Sequence, residues 1–144
     1  WRKSFQILCS KVKQGGLIVA SFRSTYFNLL LVMAEQRLLD AERVVTTRQG
    51  QLWAQNPVNF SWNNSSELVQ EFENQHVEVQ RVTGIGLCSG ITGDPHDRVS
   101  KPWELSQEDQ DRLMQVELKM GPVVPDAGRY ILIVARKKTH EESH

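Results

Sequence analysis

Arg23 and Tyr26 follow the apolar run Leu17-Ile18-Val19-Ala20-Ser21-Phe22, at the point where a predicted strand ends. In open α/β sheets, ligands bind beyond the carboxyl ends of the parallel strands. A guanidinium at that place suits a carboxylate or a phosphate, and a tyrosine ring suits the wall of a binding site. We therefore expect Arg23 and Tyr26 to bind substrate. The alternative is a solvated turn that leads into a capped helix.

A second group of candidates lies in residues 46–63, a stretch without periodicity that is longer than ordinary connectors. Aromatic rings interleaved with amides suit a flat substrate, such as a nucleobase stacked on a ring. The aromatic content argues against disorder, and the alternative is a lid packed on the core. The candidate substrate-binding residues of this stretch are Trp53, Asn59, Phe60 and Trp62.

His96 beside Asp97 is a third candidate, because a carboxylate can fix the tautomer of a histidine that acts as a base. Adjacent residues in a turn rarely reach that geometry, so we retain His96 as a substrate-binding residue and leave the catalytic residues unassigned. The two cysteines, Cys9 and Cys88, are too few for a disulfide framework and too far apart for a zinc motif. The sequence therefore predicts no metal site.

The elements that position these residues begin with a helix, a double glycine and a strand. Gly15-Gly16 ends an amphipathic helix, since glycine adopts the left-handed conformation of a helix end. The unbroken apolar run at 17–22 is typical of a strand buried on both faces in a parallel sheet. Together they predict half of a β-α-β crossover whose first strand lies upstream of Trp1.

The remaining pattern predicts a helix over residues 26–45, a capped helix from Asn64, a strand over 76–82, a glycine-rich excursion over 84–93 and a final strand over 128–135. Ser106 opens a further capped helix with Leu113, Val116 and Met120 inward. We expect one α/β domain over residues 1–138 and a flexible charged tail over 139–144.

Composition limits the classes of function. Of 144 residues, 17 are basic and 17 acidic, so the chain has no charge excess with which to grip nucleic acid or anionic lipid. No apolar stretch approaches the roughly 18 residues of a membrane span. No signal peptide is apparent, and we expect a reducing, cytoplasmic setting.

Three segments carry a recognisable pattern: Val12-Lys13-Gln14-Gly15-Gly16 with the strand after it, Asn64-Ser65-Ser66-Glu67-Leu68 with Val77-Glu78-Val79, and Gly128-Arg129-Tyr130-Ile131 with Ala135-Arg136-Lys137. These segments and the element order resemble the C-terminal half of class I S-adenosylmethionine-dependent methyltransferases. Gln14 stands where that family usually has Pro, and Asn74-Gln75-His76 replaces the usual Gly-Phe.

This resemblance implies the C-terminal half of a Rossmann-like sheet, with helices on both faces and an antiparallel final hairpin. It also implies S-adenosylmethionine as cofactor and methyl transfer to a small molecule or a nucleobase. The glycine-rich cofactor loop of the family has no counterpart here, so we expect no cofactor-binding residues in this chain. The final segment also looks like the enzymes that methylate carboxymethoxyuridine at the tRNA wobble position.

The predicted partners follow from the strand at 17–22, which needs a neighbour on each side. Only two other convincing strands are present, and the family order places both on one flank. The other flank is then a bare apolar edge, which proteins avoid. We expect a missing N-terminal half, a second chain or a second copy to fill it. The alternative function is a non-catalytic interaction module that uses this edge.

Overall fold

The computed structural model describes residues 1–51, 59–90 and 100–139. Within them the chain is a mixed α/β fold, as predicted, built around a three-stranded antiparallel sheet with a separate two-stranded ribbon. The helices are α1 (Arg2–Lys11), α2 (Thr25–Ala34), α3 (Leu38–Thr46), α4 (Ser65–Asn74) and α5 (Gln107–Met120), and the strands are β1 (Leu17–Arg23), β2 (Gln49–Gln51), β3 (Asn59–Ser61), β4 (Val77–Ile85) and β5 (Tyr130–Lys137).

The strand order of the sheet is β1-β5-β4, and β5 is antiparallel to both neighbours. The two later strands therefore lie together on one flank of β1, as predicted. Among the described residues β1 has no second strand beside it, so it is an edge strand. The parallel pairings of this part of the chain are two isolated bridges, Ser24 with Asn63 and Ser89 with Ser100.

One face of the sheet, which we call the closed face, is covered by α1 and α4. The ring of Phe5 on α1 lies 4.3 Å from that of Phe72 on α4, measured between centroids. Both pack on alternate residues of the strands, because side chains two apart share one face. The buried core cluster consists of Phe5, Cys9, Ile18, Leu68, Phe72, Val77, Ile131, Ile133 and Ala135.

The opposite face, which we call the open face, carries the other alternate residues and is largely solvated along β1. Ile18 is 3% exposed, whereas its neighbour Val19 is 62% exposed. The prediction that β1 is buried on both faces is therefore wrong for the described chain, since none of its described elements covers Val19. The open-face residues of the strands include Leu17, Val19, Ser21, Arg23, Glu78, Arg81, Thr83, Ile85, Tyr130, Leu132, Val134 and Arg136.

The double glycine lies in the turn between α1 and β1, but it does not end the helix as the sequence predicts, because α1 ends at Lys11 and its C-cap, Val12, is extended. Gly15 has a φ of 70°, the left-handed conformation that glycine adopts without strain. Lys137 reinforces the junction, because its ammonium donates to the carbonyl oxygens of Cys9 at 2.7 Å and Val12 at 2.9 Å. These carbonyls belong to the end of α1, where a cation is favourable.

The predicted long helix over 26–45 is wrong, because it is divided into α2 and α3. Gln36 has a φ of 59°, which no helix accommodates. The apolar stripe continues from α2 into α3, so the sequence pattern gives no sign of the break at Gln36. A second small core of Val32, Ala41, Val44 and Trp62 lies beneath these two helices.

The predicted inward face of α5 is also wrong. Val116 and Met120 are exposed, and α5 buries none of its residues among the described part of the chain. The cap is as predicted, since the Ser106 hydroxyl accepts a hydrogen bond from the Asp109 N–H at 3.2 Å. Met114, Glu117 and Leu118 line a groove beside the open face instead.

Candidate functional site

Arg23 lies at the carboxyl end of β1, directly opposite Tyr130 in the antiparallel register. Its guanidinium carbon is 4.4 Å from the centroid of the Phe60 ring and 5.4 Å from that of the Tyr130 ring. Such stacking holds a cation over the negative faces of aromatic rings. The structure thus brings two predicted residues, Arg23 and Phe60, together with Tyr130, which the sequence did not single out. We call these three residues the Arg23 cluster.

The N-terminus of α2 follows Arg23 at once and is fixed by Ser24. The Ser24 hydroxyl accepts from the N–H of Phe27 at 3.2 Å and donates to the carbonyl oxygen of Asp126. Asn28 donates from Nδ2 to the carbonyl oxygen of Ser24 at 2.6 Å. This is the capped helix of the alternative interpretation, but it is built from fully buried polar residues rather than from a solvated turn.

Two polar atoms beneath the cluster are not used by the described chain. The Thr25 hydroxyl oxygen and Asn28 Oδ1 are buried and have no hydrogen-bond partner within the described ranges. Buried polar atoms normally find a partner, and those that lack one often lie beside a binding site. The carboxyl end of β1 therefore combines a stacked cation with unused hydrogen-bonding capacity.

The ribbon of β2 and β3 borders the cluster and forms a shallow groove of about 470 Å³. Asn59 and Phe60, both predicted substrate-binding residues, line this groove with Gly50. The stretch that the sequence presented as an irregular loop is thus partly a ribbon, and its three-residue strands are too short to give a periodic pattern.

The remaining predicted site residues differ in exposure, and two of them lie outside the described residues. Tyr26 is 50% exposed on α2, and Trp62 is 4% exposed in the second core. A Cβ atom on Gly50 would lie 2.9 Å from the Trp62 ring, so glycine is needed there. This agrees with the alternative of a stretch packed on the core. Trp53 and His96 lie outside the described residues.

Glu117 on α5 was not among the predicted site residues, although it belongs to the final segment that resembles the carboxymethoxyuridine enzymes. Its carboxylate accepts hydrogen bonds from the N–H groups of Leu87 at 3.0 Å, Cys88 at 2.7 Å and Ser89 at 3.0 Å, and from the Ser89 hydroxyl at 2.6 Å. Partial burial alone would raise the pKa of the Glu117 carboxyl, but these four hydrogen bonds outweigh it and lower the pKa below the usual value. Glu117 thus anchors the segment after β4 to α5.

Asp126 has a matching role beside the closed face. Its carboxylate accepts a hydrogen bond from the Ser65 N–H at 2.7 Å and another from the Ser65 hydroxyl. The N-terminus of α4 is therefore capped by a residue 61 positions away, and not by Asn64, whose side chain makes no cap hydrogen bond. A contact over such a separation leaves no local pattern in the sequence.

The glycines after β4 serve close backbone packing. A Cβ on Gly84 would lie 2.9 Å from the carbonyl oxygen of Pro125, and one on Gly128 would lie 2.6 Å from the backbone nitrogen of Ile85. These glycines let two chain segments cross, and no helix begins directly behind them.

A scan against models of known protein families found no match, and neither did a search of curated proteins. Among the described residues, no helix has the length and apolar character that crossing a bilayer requires. The same residues contain no group of three or more histidine, cysteine or acidic side chains arranged to hold a metal ion.

Proposed function

We propose that this chain is the substrate-side portion of an S-adenosylmethionine-dependent methyltransferase, with the cofactor held by a polypeptide segment outside these 144 residues. The acceptor is a small molecule or a nucleobase. Methyl transfer demands little from side chains, since the sulfonium is itself a strong electrophile and the protein mainly aligns the nucleophile and excludes water. The lack of an evident catalytic residue is compatible with this chemistry.

The observation that carries the proposal is the position of β1. It lies at the edge of the sheet with an apolar residue, Val19, exposed on the open face. An uncovered apolar edge strand pairs readily with other chains, and proteins rarely leave one unprotected. Both later strands lie on one flank of β1, as the resemblance implies, so the free side of β1 is where the cofactor-binding half would add its strands.

The Arg23 cluster supports the substrate side of the proposal. It lies at the carboxyl end of β1, which is the ligand-binding edge of an open α/β sheet when the cofactor-binding half adds strands parallel to β1. In this scheme Arg23 binds an anionic group of the acceptor, and Phe60 and Tyr130 hold the guanidinium in place. Asn59 lines the adjoining groove and is placed to bind a polar group of the acceptor.

Calorimetry with S-adenosylhomocysteine tests the proposal on two samples, the 144-residue chain and the complete natural protein that contains it. We expect no binding to the chain and micromolar binding to the complete protein. An Arg23→Gln variant of the complete protein should keep its affinity for S-adenosylhomocysteine, because Arg23 faces the acceptor. Micromolar binding to the isolated chain would refute the separate cofactor half, and no binding to the complete protein would refute methyl transfer.

A second candidate is a non-catalytic interaction module, favoured by the same unpaired edge of β1. In that case the complete protein binds a partner chain along β1 and does not bind S-adenosylhomocysteine. The narrower tRNA proposal, methylation of carboxymethoxyuridine, predicts loss of the wobble-base methyl ester in a deletion strain. The balanced charge of the chain argues mildly against it.

A further inference from the structure

A groove of about 540 Å³ runs between α5 and the open face of β4 and β5, and it shares Tyr130 with the Arg23 cluster. Its walls are mainly apolar, with Met114 and Leu118 on the α5 side and Leu132 and Val134 on the sheet side. Binding sites for small molecules have this size and are mostly apolar, with a few polar groups that fix orientation.

One arginine that lines this groove, Arg81, faces it because of an irregularity in β4. Val79 pairs with Ala135, but Arg81 pairs with Val134, so Gln80 is an extra residue. Strict alternation would place Arg81 on the closed face beside Val79. The bulge instead directs Arg81 to the groove, and bulges frequently redirect a side chain next to a binding site.

The charges of the groove favour an anion. The side chain of Arg81 makes no hydrogen bond or ion pair with the described part of the chain. The acidic residue that lines the groove, Glu117, already accepts four hydrogen bonds from Leu87, Cys88 and Ser89. A second arginine, Arg129, also lines the groove, and its guanidinium carbon lies 4.8 Å from the centroid of the Phe27 ring.

We propose that this groove binds an amphipathic organic anion, with its apolar body between α5 and β5 and its anionic group on Arg81. The proposal does not depend on methyl transfer. Tyr130 lines the groove and also belongs to the Arg23 cluster, so a ligand bound here would lie next to the substrate site proposed above.

Two fluorescent probes of the same shape test the proposal on the 144-residue chain. One is the anion 1-anilinonaphthalene-8-sulfonate, and the other is its neutral counterpart N-phenyl-1-naphthylamine. We expect saturable binding of both and a preference of about tenfold for the anion, the effect of one charge-assisted contact at a partly exposed site. Arg81→Gln should abolish this preference and leave the neutral probe bound. Met114→Glu should weaken the anion at least tenfold, since it adds a carboxylate to the wall.

Two control variants separate the groove from unspecific apolar binding. Arg112→Gln removes a guanidinium of α5 that pairs with Glu108 and Asp109 outside the groove. Leu39→Glu adds a carboxylate at an exposed apolar position of α3. Neither should change the affinity of either probe. The proposal is overturned if Arg81→Gln keeps the preference, if Leu39→Glu weakens the anion as much as Met114→Glu does, or if neither probe binds saturably.

Discussion

The two faces of the sheet differ more than the sequences of their strands suggest. In β5, Ile131, Ile133 and Ala135 are completely buried under α1 and α4, whereas Leu132 and Val134 line the groove beside α5. Alternate residues of one strand lie on opposite faces, and in β5 both sets are apolar. An unbroken apolar strand thus favours burial of both of its faces, but it does not indicate whether the element that packs on each face belongs to these 144 residues.

The two faces are also fastened by similar means. On the closed side, the Asp126 carboxylate caps α4 through Ser65. On the open side, the Glu117 carboxylate of α5 holds the segment after β4. In each case a carboxylate accepts hydrogen bonds from backbone N–H groups at the end of a regular element. These groups lie at the N-terminus of α4 and in the segment after β4. The difference between the faces therefore lies in apolar burial, and it can be tested residue by residue.

The largest effect is expected for Phe72→Ala on the closed face. Phe72 is fully buried and stacks on Phe5, so its truncation leaves a cavity in the core. We expect the free energy of unfolding to fall by about 3–5 kcal/mol in urea titrations. A loss below about 1 kcal/mol would mean that α4 does not cover the sheet as described.

Asp126→Ala should lower the free energy of unfolding by about 2 kcal/mol, because α4 loses its cap and the Ser65 N–H and hydroxyl lose their acceptor. The matched control is Ser106→Ala, which removes the local cap of α5 and should cost about 1 kcal/mol. Urea titrations of both variants give the comparison. Equal, negligible losses would contradict the role of Asp126 in holding the closed face.

Glu117→Gln tests the corresponding anchor of the open side, and we expect a loss of about 1 kcal/mol at pH 7, given the partial exposure of this group. The pKa of Glu117 is lowered in the folded chain, so its contribution is present above the unfolded pKa and disappears as the pH falls through the folded pKa. The difference between wild type and variant in unfolding free energy should therefore shrink below about pH 4.3.

Hydrogen exchange of the N–H groups of Leu87, Cys88 and Ser89 supplies a local check on this anchor. These amides should exchange faster in Glu117→Gln, while amides in α4 should be unaffected. If the unfolding free energy of Glu117→Gln kept the full pH dependence of the wild type, that dependence would belong to another group and the role of Glu117 would be contradicted.

The smallest effect is expected for Val19→Ala on the open face. Because Val19 is mostly exposed, its truncation should change the free energy of unfolding of the 144-residue chain by less than about 0.5 kcal/mol. In the complete natural protein the same substitution should cost clearly more, since we propose that a further segment covers this face. Equal losses of unfolding free energy in the two samples would contradict the proposal that a further segment covers the open face.

The sequence predicted the main elements because their signals are local: the apolar runs of β1 and β5, and the Ser106 cap. The break at Gln36 was missed because the apolar stripe runs through it. The bulge in β4 did leave a trace, since apolar residues at 77, 79 and 82 depart from a period of two.

Much of the site depends on contacts between residues distant in sequence. Arg23 could be selected from its place after a strand, and Phe60 from its aromatic stretch, but their stacking depends on how the ribbon lies beside β1. The contacts of Glu117 and Asp126 span 28 and 61 residues. Such contacts follow from tertiary packing, which local sequence patterns do not encode.

The central claim is that the free edge of β1 is paired in the working protein. Hydrogen exchange of the β1 amides that do not donate to β5 tests it most directly, in the 144-residue chain and in the complete natural protein. The account predicts fast exchange in the chain alone and at least hundredfold slower exchange in the complete protein, as expected for amides that gain sheet hydrogen bonds. Fast exchange of these amides in both samples would contradict it.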